Sequence, residues 1–294
     1  MTANFRVNNM DRLLGGHALK LSINGSTAYE QLFVLEQALS TAGADQIQSV
    51  VWGIDLGRFN ERYGEFSQET GAYPHHLYAG GLQLLRYTMS LQTTLHSART
   101  LASSVFGLSF PLESSDINGL NTWDRSTGCQ PVLEHFDTIV SQSGFLANRG
   151  YTFRTDVFDA HLDDIVALAR SNPDTEFVLF YSPYSIIRYK RIEQLGGIDH
   201  FMRLREAFAK RVETEANIQL LDLQADASIV TELDYYKDVG HYDQNVNALI
   251  MQAIQSRQFS SVKKVGEQSQ TLRKLIERTD VENIRASCDD ESRS

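Results

Sequence analysis

The stretch Glu176-Phe177-Val178-Leu179-Phe180-Tyr181-Ser182-Pro183-Tyr184-Ser185 decides the architecture. Phe177 to Tyr181 are apolar or aromatic without a polar break, which reads as a strand covered on both faces, the form taken inside parallel sheets. Ser182-Pro183-Tyr184-Ser185 then reads as a turn. Upstream, residues 155–171 read as a helix with Asp156 and Asp159 near its start, where acids suit the helix dipole, and Asn172-Pro173 as its stop. Downstream, residues 198–216 read as an amphipathic helix and 218–222 as a strand. Residues 245–256 read as a core helix with Val246, Leu249, Ile250 and Ile254 on one stripe.

The same alternation appears nearer the N-terminus. Residues 18–23 alternate apolar and polar like a short strand and end in the turn cluster Asn24-Gly25-Ser26-Thr27. Residues 29–42 carry Leu32, Leu35 and Leu39 at helical spacing, with Gly43 as a stop, and 47–54 read as a second strand. Strand, helix, strand in this order predicts a flavodoxin-like three-layer α/β/α sandwich with a mostly parallel sheet. Residues 82–101 show helical spacing, 103–150 read as an irregular Ser-, Gly- and Asn-rich insertion, and 259–294 as a polar tail with room for one helix at 272–276. Residues 1–258 then form one α/β domain.

Composition narrows the function. The chain has 294 residues, 42% hydrophobic and 22% charged, as in ordinary globular proteins. Its net charge of -10, from 37 acidic and 27 basic side chains, argues against a nucleic-acid partner. The basic stretches Tyr189-Lys190-Arg191 and 203–211 read as solvated helix faces. No apolar run is long enough for a membrane span, and the first six residues lack a signal pattern. Cys129 and Cys288 read as free thiols. No Gly-rich phosphate loop is present, and no cofactor is expected. The oligomeric state is not legible.

In parallel sheets, sites gather at the carboxyl ends of strands. That rule selects Asn24-Gly25-Ser26, Gly53-Ile54-Asp55 and the segment after the strand at Ile218. The last holds Leu233-Asp234-Tyr235-Tyr236-Lys237-Asp238-Val239-Gly240-His241-Tyr242. A carboxylate three positions before an imidazole can hold one ring nitrogen in a turn and orient the other as a general base. The bland alternative is an Asp238 that caps the last helix and a His241 that packs on its own turn. From spacing alone that alternative takes the larger share. Ser26 is a rival nucleophile at a strand–turn–helix junction. The competing reading gives Ser26 or Thr27 a helix-capping role, with Glu30 completing a capping box. Asp55 has an equally plain role as a cap for the turn after its strand. His75-His76 point in different directions, and the run Asp156, Asp159, His161, Asp163, Asp164 reads more readily as a solvated acidic helix start than as a metal site, so no metal is assigned. Tyr181-Ser182-Pro183-Tyr184-Ser185 would either line a groove or form a plain turn with buried rings.

Asp238-Val239-Gly240-His241 near the end of an α/β chain resembles the last block of the SGNH (GDSL-like) hydrolase superfamily, and the run from Leu233 to Asn247 resembles a bacterial branch related to polysaccharide O-acetyltransferase-like enzymes. The resemblance implies that Asp238 and His241 are catalytic. It implies that the Gly25 amide and position 55 contribute to an oxyanion hole. Two departures stand out. Position 55 is Asp55 where the family has an oxyanion-donating asparagine, and a carboxylate repels an oxyanion. The serine block is also missing, and Met1-Thr2-Ala3-Asn4-Phe5 resembles the residues that come directly after that serine in the family. Met1 is then expected to be an internal methionine, with a first strand, the serine and an export segment upstream, which would place the protein in the cell envelope or periplasm. The resemblance implies a serine-type ester hydrolase or O-acyltransferase acting on acylated carbohydrate or a small-molecule ester. The alternative is a catalytically inactive SGNH-fold structural or carbohydrate-interacting protein. A third reading is a metal-dependent hydrolase built on the acidic run.

Overall fold

The computed structural model describes residues 5, 7–21, 26–42, 46–59, 126–141 and 154–291. Among them, a three-stranded parallel sheet runs in the order β1 (Ser49–Ile54), β2 (Glu176–Tyr181), β3 (Ile218–Asp222). The fold is mixed α/β. The register pairs Trp52 with Leu179, and Leu179 with Leu220. Every residue of β2 after Glu176 is buried, as its uninterrupted apolar run requires.

Before β1 lie α1 (Val7–Leu14) and α2 (Ala28–Ala42), and a short α3 (Leu56–Phe59) follows it. Then come α4 (Cys129–Ser141) and α5 (Thr155–Ser171), with α6 (Ile186–Gln194) and α7 (Ile198–Val212) between β2 and β3. After β3 follow α8 (Ala227–Val230), a 3-10 turn (Leu233–Tyr235), α9 (Gln244–Gln255), α10 (Val262–Arg278) and α11 (Val281–Glu291). No helix among the described residues is long and apolar enough to cross a membrane.

Helices α2 and α7 both pack on α5, and α7 also packs against β3 and α10. The start of α2 is a capping box. The Thr27 hydroxyl accepts from the Glu30 amide at 3.2 Å, and the Glu30 carboxylate accepts from the Thr27 amide at 2.7 Å. The core is aromatic at its centre, where Phe59, Tyr181 and Phe208 meet with ring centroids 5.6–5.9 Å apart.

Several expectations are corrected. Residues 18–21 form no strand, and residues 22–25, including Gly25, lie outside the described residues. The alternation there is inverted: Leu19 and Leu21 face water at 66% and 41% exposure while Lys20 is buried. With no neighbouring ladder among the described residues, alternation alone fixes neither face nor extension. Part of the stretch read as irregular is the helix α4, which opens with Pro131 in its first turn and buries Val132, Leu133 and Phe136. The polar tail holds two helices, and α10 buries Val265, Ser269, Leu272 and Ile276. Residues 82–101 and His75-His76 lie outside the described residues.

The basic stretches are solvated faces only in part: Arg203 and Lys210 face water. Tyr189 and Arg191 are buried in α6, and Arg205 of α7 has no exposed surface. Arg205 forms an ion pair with Asp222 at the end of β3, both side chains fully enclosed. Tyr181 donates to the Arg205 carbonyl at 2.6 Å, and the second Asp222 oxygen accepts from the Gln224 amide at 3.0 Å. Cys129 and Cys288 are not free thiols either. They form a disulfide between α4 and α11, with Cα atoms 5.9 Å apart. Their separation of 159 residues hides this in the sequence.

Removing one member of an enclosed pair strands the other charge. Arg205→Met is expected to destabilise the protein by about 3–5 kcal/mol in urea unfolding. Adding Asp222→Leu is expected to recover part of that loss, whereas strictly additive losses would mean the two charges are not coupled.

Candidate functional site

The carboxyl ends of the three strands converge on one turn. After β3 the chain passes through the 3-10 turn to Tyr236, which forms an isolated antiparallel bridge with Tyr242. The Lys237 amide donates to the His241 carbonyl at 2.8 Å, and the Asp243 amide donates to the Tyr235 carbonyl at 2.8 Å. Residues 237–241 are therefore a closed loop standing on two buried tyrosines.

Asp238 and His241 meet inside this loop. The His241 Nδ1 lies 2.8 Å and 3.0 Å from the two Asp238 carboxylate oxygens. Oδ1 also accepts from the amides of Gly240 at 2.8 Å and His241 at 2.9 Å. The Asp238 side chain is 3% exposed and that of His241 is 39% exposed. Burial by itself would push the Asp238 carboxyl up. The hydrogen bond and charge of His241, with the two backbone amides, outweigh burial and hold its pKa at about 2. With Nδ1 donating to Asp238, a neutral imidazole carries its lone pair on Nε2, the nitrogen that general-base chemistry uses.

The bland alternative for Asp238 fails on a specific point. The cap of α9 is Asp243, whose carboxylate accepts from the Asn245 and Val246 amides at 2.8 Å and 3.4 Å. Asp238 is thereby left to the imidazole and its own turn.

The turn is clamped to the end of β2. Ser185 donates through its hydroxyl (2.8 Å) and its amide (3.2 Å) to the Val239 carbonyl while capping α6. The Tyr184 ring faces Gly240, with its Cδ1 3.8 Å from where a Gly240 Cβ would sit. The Tyr184 hydroxyl reaches across to β1 and donates to Asp55 Oδ1 at 2.5 Å. Burial first, and the Asp55 carboxylate second, push the Tyr184 phenol well above its ordinary value, so it stays protonated. The Arg188 guanidinium lies 5.8 Å from the same ring's centroid. Tyr184 thus links position 55 to the Asp238–His241 turn, and its ring is buried rather than lining an open groove.

Asp55 acts as an acceptor. Its Oδ1 takes the Gly57 amide at 3.1 Å, which caps α3, as well as the Tyr184 hydroxyl. Ser26 is tied elsewhere. Its hydroxyl accepts from Gln31 Nε2 at 3.0 Å, and Gln31 Oε1 accepts from the Trp52 indole at 2.8 Å. In the acidic run, Asp156, Asp159 and Asp163 face solvent while His161 is fully buried, its ring edge-on to Phe59 at 5.7 Å. Among the described residues no group of three or more His, Cys, Asp or Glu side chains forms a metal set.

Ser185, Tyr184 and Asp243 are neighbours of the Asp238–His241 turn that motif spacing does not reveal. The turn composition of 182–185 is the only signal the sequence carries for the first two. A scan against protein-family models and searches of curated proteins and of solved structures find no match to this chain.

The depressed Asp238 pKa carries a pH signature. The group contributes stability above its unfolded pKa of about 3.8, and that contribution is lost as pH falls toward about 2. The gap corresponds to about 2 kcal/mol. Asp238→Asn is expected to lower stability at pH 7 by about that amount and to flatten the acid limb between about pH 4 and 2. An unchanged acid limb in urea melts across that range would contradict the ionised, hydrogen-bonded state of Asp238.

Proposed function

We propose that this protein is a serine-type ester hydrolase or O-acyltransferase that works through an acyl-serine intermediate, with acylated carbohydrate as its substrate class. The observation that carries the reading is the Asp238–His241 pair: a buried, ionised carboxylate holds Nδ1 of a half-exposed imidazole at the carboxyl edge of a parallel sheet. The resemblance of 238–241 to the last block of SGNH hydrolases supports the same assignment. The finer architecture proposed with it is a flavodoxin-like three-layer sandwich in which β1, β2 and β3 are consecutive strands and further strands lie beyond β1.

In this mechanism His241 Nε2 takes the proton of a serine hydroxyl as its oxygen attacks the ester carbonyl. The imidazolium then gives that proton to the departing alkoxide, and the acyl group stays on serine. Water in a hydrolase, or a sugar hydroxyl in a transferase, repeats the sequence in reverse. Asp238 orients the ring and stabilises the imidazolium while it lasts. The Gly25 amide is the proposed oxyanion donor. Asp55 is not proposed as one, because its carboxylate already accepts from Tyr184 and Gly57.

That same use of Asp55 favours a second reading, a non-catalytic protein that keeps the scaffold. A fluorophosphonate probe separates the two on the protein as its gene encodes it, together with any residues encoded ahead of Met1. The catalytic reading expects one serine adduct, located by peptide mass spectrometry, and hydrolysis of p-nitrophenyl acetate. His241→Ala should abolish the adduct and cut turnover by about a thousandfold or more with the melting temperature little changed. A folded wild-type protein that takes up no probe would leave the non-catalytic reading in place. Turnover unaffected by His241→Ala would remove His241 from the mechanism.

A further inference from the structure

The disulfide ends one residue away from a hydrogen bond that holds the Asp238–His241 loop. The amide of Gly128, next to Cys129, donates to the Tyr236 carbonyl at 2.9 Å. Tyr236 is half of the bridge that closes the loop. Gly128 sits at φ +133°, a conformation side chains rarely adopt, and a Cβ there would stand 3.5 Å from the Asp234 carboxylate. Helix α4 packs against the 3-10 turn, and farther along it His135 Nδ1 faces the Val239 amide at 3.5 Å. The start of α4 is therefore part of the loop's support.

The other end of the bond is Cys288 on α11, near the end of the described chain. Besides the disulfide, α11 is held to α4 by Arg285, which makes two contacts to Asp137 at 2.8 Å and 3.0 Å. That pair is substantially exposed, so it holds weakly by itself. Cys288 is buried but Cys129 is only half-buried, so a thiolate can approach from the Cys129 side.

We propose that the Cys129–Cys288 bond is a redox-sensitive strap that positions the Asp238–His241 turn. A dithiol reductant attacks one sulfur to form a mixed disulfide. Its second thiol then closes a cyclic disulfide and releases Cys129 and Cys288 as two thiols, so two electrons and two protons pass to the protein. Helix α4 stays docked through Val132, Leu133 and Phe136. Its first turn loses the anchor that fixes Gly128 against Tyr236, and the loop loosens. The effect on catalysis rests on the ester chemistry proposed above; the effect on the loop does not.

The test is hydrogen–deuterium exchange on the full chain, oxidised and after reduction with dithiothreitol, with a Cys129→Ser/Cys288→Ser variant as the reductant-free equivalent. Alkylation without reductant should modify neither cysteine; modification of both would overturn the proposal at once. On reduction, peptides covering 233–243 are expected to exchange on the order of tenfold faster, with β2 unchanged. Faster exchange confined to α11 would sink the proposal, and so would faster exchange throughout β2, which would make the bond a global staple. Arg285→Ala in the oxidised protein is expected to leave the loop's exchange unaltered. If p-nitrophenyl acetate is hydrolysed, reduction should lower kcat with KM held, and reoxidation should restore it. Absence of hydrolysis in both states would count against the ester chemistry, while the exchange result would still decide the strap.

Discussion

Burial of β2 from Phe177 to Tyr181 is the constraint on which the other elements depend. A run of five residues buried on both faces has to find both its backbone partners and its side-chain contacts inside the protein. Its parallel neighbours β1 and β3 supply the ladder, and α5, α6 and α7 come from the crossovers that parallel pairing requires. Parallel direction also brings all three carboxyl ends to one edge. Asp55, the Ser182–Ser185 turn and the loop after β3 therefore meet although they are far apart in the chain.

At that edge the polar groups fall into two sets with different fates. Arg205 and Asp222 are sealed from water, and their attraction offsets a large desolvation cost, so they fit a role in specifying how α7 sits on β3. Asp238 is sealed as well, yet its partner His241 keeps a face to solvent. A buried anion beside a reachable imidazole is an arrangement a proton-transfer site needs and a purely structural pair does not. Tyr184 and Ser185 brace it from the turn after β2, Gly128 from just ahead of α4 and His135 from within α4. The loop is short, but it is held from several elements at once.

The legible part of the candidate site was the Asp238–His241 spacing, because a carboxylate three positions before an imidazole can reach one ring nitrogen within a turn. The sequence left open which acid caps α9, and the structure assigns that task to Asp243. Asp55 was legible as a strand-end acid with two competing roles; its hydrogen bond to Gly57 belongs to the capping role, and Tyr184 adds a donor from 129 residues away. The basic stretches were legible only in part, with Arg203 and Lys210 in water but Tyr189, Arg191 and Arg205 buried, for a physical reason. Composition counts charges, but only packing shows that Arg205 faces Asp222 and that Tyr189 packs between Tyr184 and Phe201.

The sequence by itself determined the strands at β1, β2 and β3, the helices α2, α5, α7 and α9, and the parallel sense that this order implies. Those features are local: a period of hydrophobicity reports which face of a segment seeks the core. The tertiary structure alone decided the contacts that cross the chain. The Tyr184–Asp55 hydrogen bond spans 129 residues and the Cys129–Cys288 bond spans 159. Such meetings depend on strand order and helix docking, and no periodic pattern in one segment carries information about the position of another.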